Sequence, residues 1–126
     1  MTEEADWGEL RALAEHIEAG EPLVLSEAVR GLLTRTAQQV GLTADDADQA
    51  LASQSGAVTL LREVYRRIQD GSDRLSHALL GAYRLRDTGN TAEARKLFER
   101  LLSIEVVPLY RQQAELAIRD LEAGRF

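Results

Sequence analysis

The sequence lacks cysteine altogether, and among its 126 residues it has only two histidines, two prolines and one methionine. The absence of cysteine excludes disulfides, thiol catalysis and every thiolate metal site. With two histidines, metal chemistry would have to rest mostly on carboxylates. We therefore predict that the protein has no metal site and no cofactor.

Motifs that mark catalytic sites are also missing. The sequence contains no glycine-rich phosphate loop, no His-rich metal motif and no nucleophile elbow. Pairs of carboxylates are frequent, but amphipathic helices place such residues on their solvated face. The sequence therefore predicts a protein that is not an enzyme and has no catalytic residue.

Long hydrophobic runs are absent too. The longest purely apolar runs have about three residues, as at positions 23–25, whereas a membrane span needs about 20. The first ten residues, "MTEEADWGEL", are acidic and have neither a basic region nor a continuous apolar region. We therefore expect no secretory signal, no membrane partner and a cytoplasmic location.

Acidic residues outnumber basic ones by 21 to 15, and the excess is unevenly distributed. Residues 1–56 contain 11 acidic and 3 basic residues, whereas residues 57–126 contain 10 acidic and 12 basic ones. If the halves stay apart on folding, the molecule is electrostatically two-sided, which favours oriented docking over catalysis. The alternative, that folding mixes the two halves, stays open.

Apolar residues recur at the helical period along almost the whole chain, and no stretch shows the alternation expected of a strand. The sequence therefore predicts an all-α fold of six or seven helices. Four of them are expected to end at glycines, namely Gly20, Gly41, Gly71 and Gly89. The seven expected segments start near Ala5, after Ser26 and Thr43, near Ala57, after Ser72, near Thr91 and at Pro108.

Short and mostly capped turns join these segments, so neighbouring helices are expected to pack antiparallel in a bundle. One cap is a variant of the capping box, "TADD", in which Asp46 stands where Glu or Gln is usual. A chain of this length suits one domain over residues 1–126. A weak seam is expected at "SQSG", residues 53–56, where the charge balance changes.

The stretch "DTGNTAEARKLFERLL", residues 87–102, combines a Gly-Asn turn with Ala94 and Phe98. Aligned on Gly89, residues 75–106 resemble a tetratricopeptide repeat, in which the small residue permits close helix crossing and the aromatic fills the gap beside it. The family's tryptophan position is Ala78 here, and no second copy occurs at a fixed spacing. We interpret the hairpin as a packing unit, not as an inherited peptide-binding repeat.

Taken whole, the chain resembles the DUSAM domain family, a group of small paralogous myxobacterial proteins. The likeness lies in "DWGELRALAEHIEAGEPLVLSEAVRGLL", "LLREVYRRIQDGSDRLSHAL" and "VVPLYRQQAELAI". The resemblance implies a compact bacterial domain and supplies no catalytic residues, because the family's function is uncharacterised.

Residues 32–51 have the small residues and the turn glycine of a DNA-binding helix-turn-helix. The second helix of that motif would, however, carry Asp45, Asp46 and Asp48. Three carboxylates directed at a phosphate-lined groove would be repelled. The sequence therefore predicts that DNA is not a partner.

Arginines cluster on the fourth and fifth expected helices, at positions 62, 66, 67, 74, 84 and 86. Either they bind an acidic peptide, a phosphate or RNA through forked guanidinium contacts, or they form a solvated face paired with aspartates. The fifth helix also carries His77 one turn after Asp73, a spacing at which a surface ion pair is expected.

Tetratricopeptide hairpins bind ligands with the exposed face of their first helix, and the resemblance implies that the matching positions here are residues 76, 79, 83, 86 and 87. Together with the arginines, this gives the candidate partner-binding residues Arg62, Arg66, Ser76, Leu79, Tyr83, Arg86 and Asp87. They lack the clamp that binds a terminal carboxylate.

The sequence therefore predicts a non-catalytic interaction module, an adaptor or regulator that binds an acidic or amphipathic protein segment through the surface of helices 4 and 5. The alternative is an acidic immunity-type inhibitor of a basic toxin or nuclease. It would use the acidic residues Glu3, Glu4, Asp6, Asp45, Asp46 and Asp48. A homodimer is possible under either hypothesis, because a lone hairpin can bury an apolar face against its own copy.

Overall fold

The computed structural model describes the backbone of residues 3–126 and the side chains of residues 6–126. This part of the chain is all-helical, with six helices and no strand. The helices are α1 (Glu3–Glu18), α2 (Glu27–Gln39), α3 (Ala44–Ala50), α4 (Gln54–Asp87), α5 (Thr91–Ile104) and α6 (Pro108–Glu122). The predicted all-α bundle of six or seven helices is confirmed.

The predicted break between the fourth and fifth helices is wrong, because α4 runs without interruption from Gln54 to Asp87. Gly71 was expected to end a helix and Ser72 to cap the next one. Gly71 is instead buried within α4 and is not among the glycines with positive φ. Its lack of a side chain serves close packing, since a Cβ there would lie 2.6 Å from Cε2 of Tyr110.

Most of the other predicted helix ends are confirmed, but α4 begins at Gln54, three residues before the start expected near Ala57. The Ser26 Oγ accepts a hydrogen bond from the Val29 amide, and Thr43 and Asp46 form the reciprocal bonds of a capping box. Gly20, Gly41 and Gly89 all have positive φ, a conformation that glycine adopts without steric cost. Pro108 occupies the first turn of α6, where its missing N–H costs nothing.

The packing of the chain divides it into two compact units, up to Ile68 and from Gln69 onward. Helix α4 contributes to both, since the division falls within it. In the first unit α2 packs against α1 and α3. Its fully buried side chains include Leu10, Leu33, Val40, Leu61 and Val64. The single domain with a seam at residues 53–56 stays a prediction, and the division between the two units falls 12 residues beyond that stretch, after Ile68.

In the second unit α5 and α6 pack against each other, and the end of α4 turns into α5 at Gly89. Phe98 and Ala94 are fully buried on α5, as is Ala82 on α4. Leu97 lies directly against Gly81, where a Cβ would come within 2.8 Å of the leucine Cδ1. Gly81 thus leaves room for the Leu97 side chain. The close crossing at Ala94 and the tetratricopeptide-like character of the hairpin stay predictions.

Candidate functional site

The structure places the predicted partner-binding residues along α4, in two groups. Arg62 and Arg66 belong to the first unit, and the remaining five, from Ser76 to Asp87, belong to the second. In the first group, the Arg62 Nε lies 3.5 Å from a carboxylate oxygen of Glu18, and Arg66 donates to both carboxylate oxygens of Glu63. These two arginines are therefore engaged in ion pairs within their own unit.

In the second group the structure brings Tyr83, Arg86 and Asp87 together around Phe126. The rings of Tyr83 and Phe126 stack with their centroids 4.8 Å apart, and the Arg86 guanidinium lies 5.0 Å from the centre of the Tyr83 ring. Arg86 also donates to the Phe126 carbonyl oxygen at 2.9 Å and to the Asp87 carboxylate at 2.8 Å. Phe126 meets Phe98 edge-on. Stacking and cation-π contacts therefore already use the ring of Tyr83 and the charge of Arg86.

Helices α4 and α5 border an open groove of about 280 Å³ in the second unit, which we call the α4–α5 groove. Its apolar lining comes from Ala78, Leu97, Leu101 and Ile104. Ala78 and Leu101 are almost fully buried, whereas Ile104 is 61% exposed. The groove thus has a packed floor and an exposed apolar side chain at the end of α5.

Basic side chains border the α4–α5 groove. Arg74 and His77 line it from α4, and Arg100 lines it from α5. Arg74 is partly neutralised, because its Nε donates to the Glu105 carboxylate at 3.2 Å. Among the described residues, Arg100 has no ion-pair partner, and the expected pair between Asp73 and His77 does not form. The predicted Asp73–His77 contact is therefore wrong.

Glu105 is a buried carboxylate behind the groove, with no exposed side-chain area. Besides its bond to Arg74, its Oε2 accepts hydrogen bonds of 3.0 Å from the amides of Val106 and Val107. The neighbouring Tyr110 hydroxyl has a raised pKa, mainly because burial disfavours the phenolate. Glu105 therefore joins α4 to the start of α6 and holds Arg74 at the groove.

The described members of the acidic set proposed for an inhibitor do not form one exposed face. Asp6 is 2% exposed, and its carboxylate accepts hydrogen bonds from Gln39 at 3.0 Å and Arg35 at 3.3 Å. The bond from Gln39, with a smaller contribution from Arg35, lowers the pKa of Asp6 against the opposing effect of burial. Asp6 therefore connects α1 to α2 and is not available to cover a partner.

The other members of that acidic set differ from one another. Asp46 serves the capping box, and the amide and hydroxyl of Thr43 lower its pKa. Asp45 and Asp48 are exposed on α3. The side chains of Glu3 and Glu4 lie outside the described residues.

A second open groove, of about 570 Å³, lies in the first unit between α3 and the start of α4. Its two carboxylates, Asp46 and Glu63, are both engaged, one in the helix cap and the other with Arg66 and Arg67. Within the described part of the chain, no group of three or more His, Cys, Asp or Glu side chains has a geometry suited to a metal ion. Nor is any helix there both long and apolar enough to cross a bilayer.

Sequence reasoning missed Phe126, Arg100 and Ile104. The last two lie on one face of α5 with Leu97, at helical spacings of three, four and seven residues. That spacing is visible in the sequence, but it does not show that Leu97 stays half-buried, as it is in the structure. Phe126 carries no local pattern, so its contact with Tyr83 could not be predicted.

The helices and their packing define an all-α bundle protein, which presents an apolar groove bordered by cations in its second unit. The chain belongs to the family DUF2379, described as a protein of unknown function, which matches residues 5–121. No significant match was found among curated proteins, and none among solved structures.

Proposed function

We propose that the protein is a non-catalytic interaction module, an adaptor or regulator that binds an acidic or amphipathic protein segment through the α4 surface of its second unit. One observation carries this proposal. Of the six large hydrophobic side chains exposed among the described residues, Leu80 and Tyr83 lie one turn apart on α4 and Ile104 lies on α5, all three in this unit. Exposed apolar side chains grouped near cations are typical of surfaces that bind other proteins.

The charge distribution supports an acidic or amphipathic partner. Residues 1–68 contain twelve acidic and six basic residues, whereas residues 69–126 contain nine of each. The second unit therefore lacks the negative excess that would repel carboxylates. Arg84 and Arg100, which have no ion-pair partner among the described residues, lie on the helices that carry the exposed apolar side chains. Such cations steer an acidic partner and fix its orientation.

The test is quantitative capture of cellular proteins by the tagged chain and by three variants with matched changes. Leu80→Glu alters the α4 surface, Leu116→Glu makes the same change on α6, and Val24→Glu makes it in the first unit. All three side chains are more than half exposed, so the variants should fold. We expect Leu80→Glu alone to remove a specific protein from the captured set. If the captured protein were lost only with Val24→Glu, the proposal would be contradicted.

The alternative function, an immunity-type inhibitor of a basic toxin or nuclease, has support from the exposed carboxylates of α3. Asp45 and Asp48 are solvent-exposed and make no ion pair with a described residue. Changing both to Asn leaves the capping bond of Asp46 intact. If this double variant loses its partner while Leu80→Glu keeps it, the inhibitor function replaces the adaptor function. A toxin gene beside the gene for this protein would point the same way.

Three further attributes belong to this proposal. We infer that the protein acts in the bacterial cytoplasm and that its family is the DUSAM family of myxobacteria. The match over residues 5–121 supports that inference by covering the same stretches on which the resemblance lies. The turn at Gly89, with its positive φ, and the burial of Ala94 and Phe98 support a tetratricopeptide-like hairpin in the second unit.

A further inference from the structure

We propose that the α4–α5 groove binds an acidic amphipathic helix of a partner protein, which lays its apolar face on Leu97 and Ile104 and directs carboxylates to Arg100. This inference rests on the proposed function and specifies its binding surface and partner chemistry. It concerns a different flank of α4 from the cluster around Tyr83 and Phe126.

The length of the groove matches a helical ligand. Gly81 faces Leu97, and Arg74 faces Glu105, so the two helices run antiparallel along the groove. Leu97 and Ile104 are two turns apart on α5, a distance of about 10 Å. Apolar side chains at positions i, i+3 or i+4, and i+7 of a docked helix have the same span.

The size and openness of the groove favour side chains over a small molecule. Its volume of about 280 Å³ lies just below the roughly 300 to 1,000 Å³ of typical ligand pockets, and it is open to solvent. The groove lies between two helices, and the described residues include no strand whose edge could accept an extended peptide. Ridges and grooves of two helices are surfaces on which a third helix packs.

Charge selects an acidic ligand. The Arg100 guanidinium borders the apolar floor and has no ion pair with a described residue, so a partner carboxylate gains a charge-assisted hydrogen bond there. Arg74 is held in place by Glu105 and keeps about a third of its side chain exposed. Lys96, one turn before Arg100, is occupied by Glu93 at 3.1 Å. The apolar floor also disfavours nucleic acid, whose phosphates would face Ile104 and Leu97.

The experiment selects ligands from a displayed library of helical peptides of about 16 residues, roughly 24 Å long. The bait is the full chain, and each enriched peptide is then measured by fluorescence anisotropy against the wild type and four variants. Arg100→Glu and Ile104→Glu alter the groove. Arg119→Glu and Leu116→Glu make the same changes on exposed positions of α6 and serve as matched controls.

We expect enriched peptides with apolar residues at the i, i+3 or i+4, and i+7 spacing, flanked by Asp and Glu. Arg100→Glu and Ile104→Glu should each weaken binding on the order of tenfold, and the α6 controls should leave it unchanged. Replacing the acidic residues of the peptide by Lys should abolish binding to the wild type and restore part of it to Arg100→Glu.

Three results would overturn the inference. The first is that the enriched peptides are basic or lack the helical spacing of apolar residues, or that the groove variants bind them as well as the wild type does. The second is Arg100-dependent binding of phosphatidylserine vesicles in place of peptides. The third is self-association lost in Ile104→Glu, seen by light scattering, which would make a second copy the occupant. If Leu80→Glu removes a cellular partner that Arg100→Glu and Ile104→Glu retain, only the groove assignment fails. If no variant of the second unit alters protein capture, the proposed function itself fails.

Discussion

The ring of Tyr110 occupies the space that a side chain at residue 71 would need. A Cβ on Gly71 would lie 2.6 Å from Cε2 of Tyr110 and 2.9 Å from the Glu105 Oε1. The contact with α6 therefore explains why a glycine occupies position 71 within a long helix, although its sequence context resembles a helix end. Four consequences of the packing can be tested on the purified protein.

Replacing Gly71 by Ala should destabilise the protein by up to about 2 kcal/mol. The extra methyl group clashes with Tyr110, and overpacking of this kind costs about 1 to 3 kcal/mol, from which the helix-propensity gain of roughly 1 kcal/mol is subtracted. Gly8 is the matched control, since it lies in α1 with nothing within 4 Å of its Cβ position. Gly8→Ala should raise the free energy of unfolding in urea. If both substitutions changed the free energy of unfolding in the same direction, this explanation of Gly71 would be wrong.

Replacing Glu105 by Ala should destabilise the protein by about 1.5 to 3 kcal/mol, because the Arg74 guanidinium, about a third exposed, loses its charge-assisted hydrogen bond. The amides of Val106 and Val107 also lose their acceptor. Glu105→Gln should lower the stability less, since the amide oxygen of Gln can still accept hydrogen bonds from the Val106 and Val107 amides. Glu99, which is half exposed, gives the control Glu99→Ala, with an expected change under about 0.5 kcal/mol. Equal thermal unfolding of the Glu105 and Glu99 variants would refute the role of Glu105.

Asp6 should contribute to the acid sensitivity of the protein. Its pKa is lowered in the folded state, so its stabilising contribution is complete above the unfolded value of about 3.9 and is lost as the pH falls through the folded value. Asp6→Asn should therefore be less stable than the wild type at pH 7, and the gap should narrow below about pH 4. Urea unfolding at several pH values measures this gap. Asp48→Asn, at an exposed position beyond the first turn of α3, should change the stability at neutral pH by less than about 0.5 kcal/mol. A pH-independent gap for Asp6→Asn would exclude the ionic contribution.

Replacing Phe126 by Ala should remove the stack on Tyr83 and the edge contact with Phe98. Each of the two aromatic pairs contributes about 0.5 to 1.5 kcal/mol beyond burial, so a loss of about 1 to 3 kcal/mol is expected in chemical unfolding. Leu116→Ala, at a side chain that is 54% exposed, should have almost no effect. If the two variants unfold at the same urea concentration, the contacts of Phe126 do not stabilise the fold.

Local chemistry made most of the helix ends predictable. The capping box of Thr43 and Asp46, the N-cap at Ser26 and the positive φ of Gly41 involve residues within a few positions of one another. Such bonds depend on residue type and spacing, both of which are visible in a sequence. The same reasoning gave the wrong result at Gly71. A glycine that ends a helix and a glycine that makes room for a neighbouring ring cannot be told apart from the sequence.

The candidate site was only partly predictable. Tyr83 and Arg86 were identified as exposed residues of α4, but their use by Phe126, 40 residues beyond Arg86, depends on the path of the chain through α5 and α6. The α4–α5 groove likewise depends on the distance at which α4 and α5 pack against each other. Helical periodicity places Arg100 and Ile104 on one face of α5 but does not say whether another element covers that face.

The amino-acid sequence by itself determined the all-α class, the caps and most of the helix ends, because backbone hydrogen bonding and residue size act over a few positions. Only the tertiary structure decided that α4 is continuous, that Asp6 and Glu105 are buried in hydrogen-bonded networks, and that Arg100 borders an open apolar groove. These features arise from side chains about 30 residues apart, as with Gln39 and Asp6, or Arg74 and Glu105. Packing brings such side chains together, and no local pattern specifies which of them will meet.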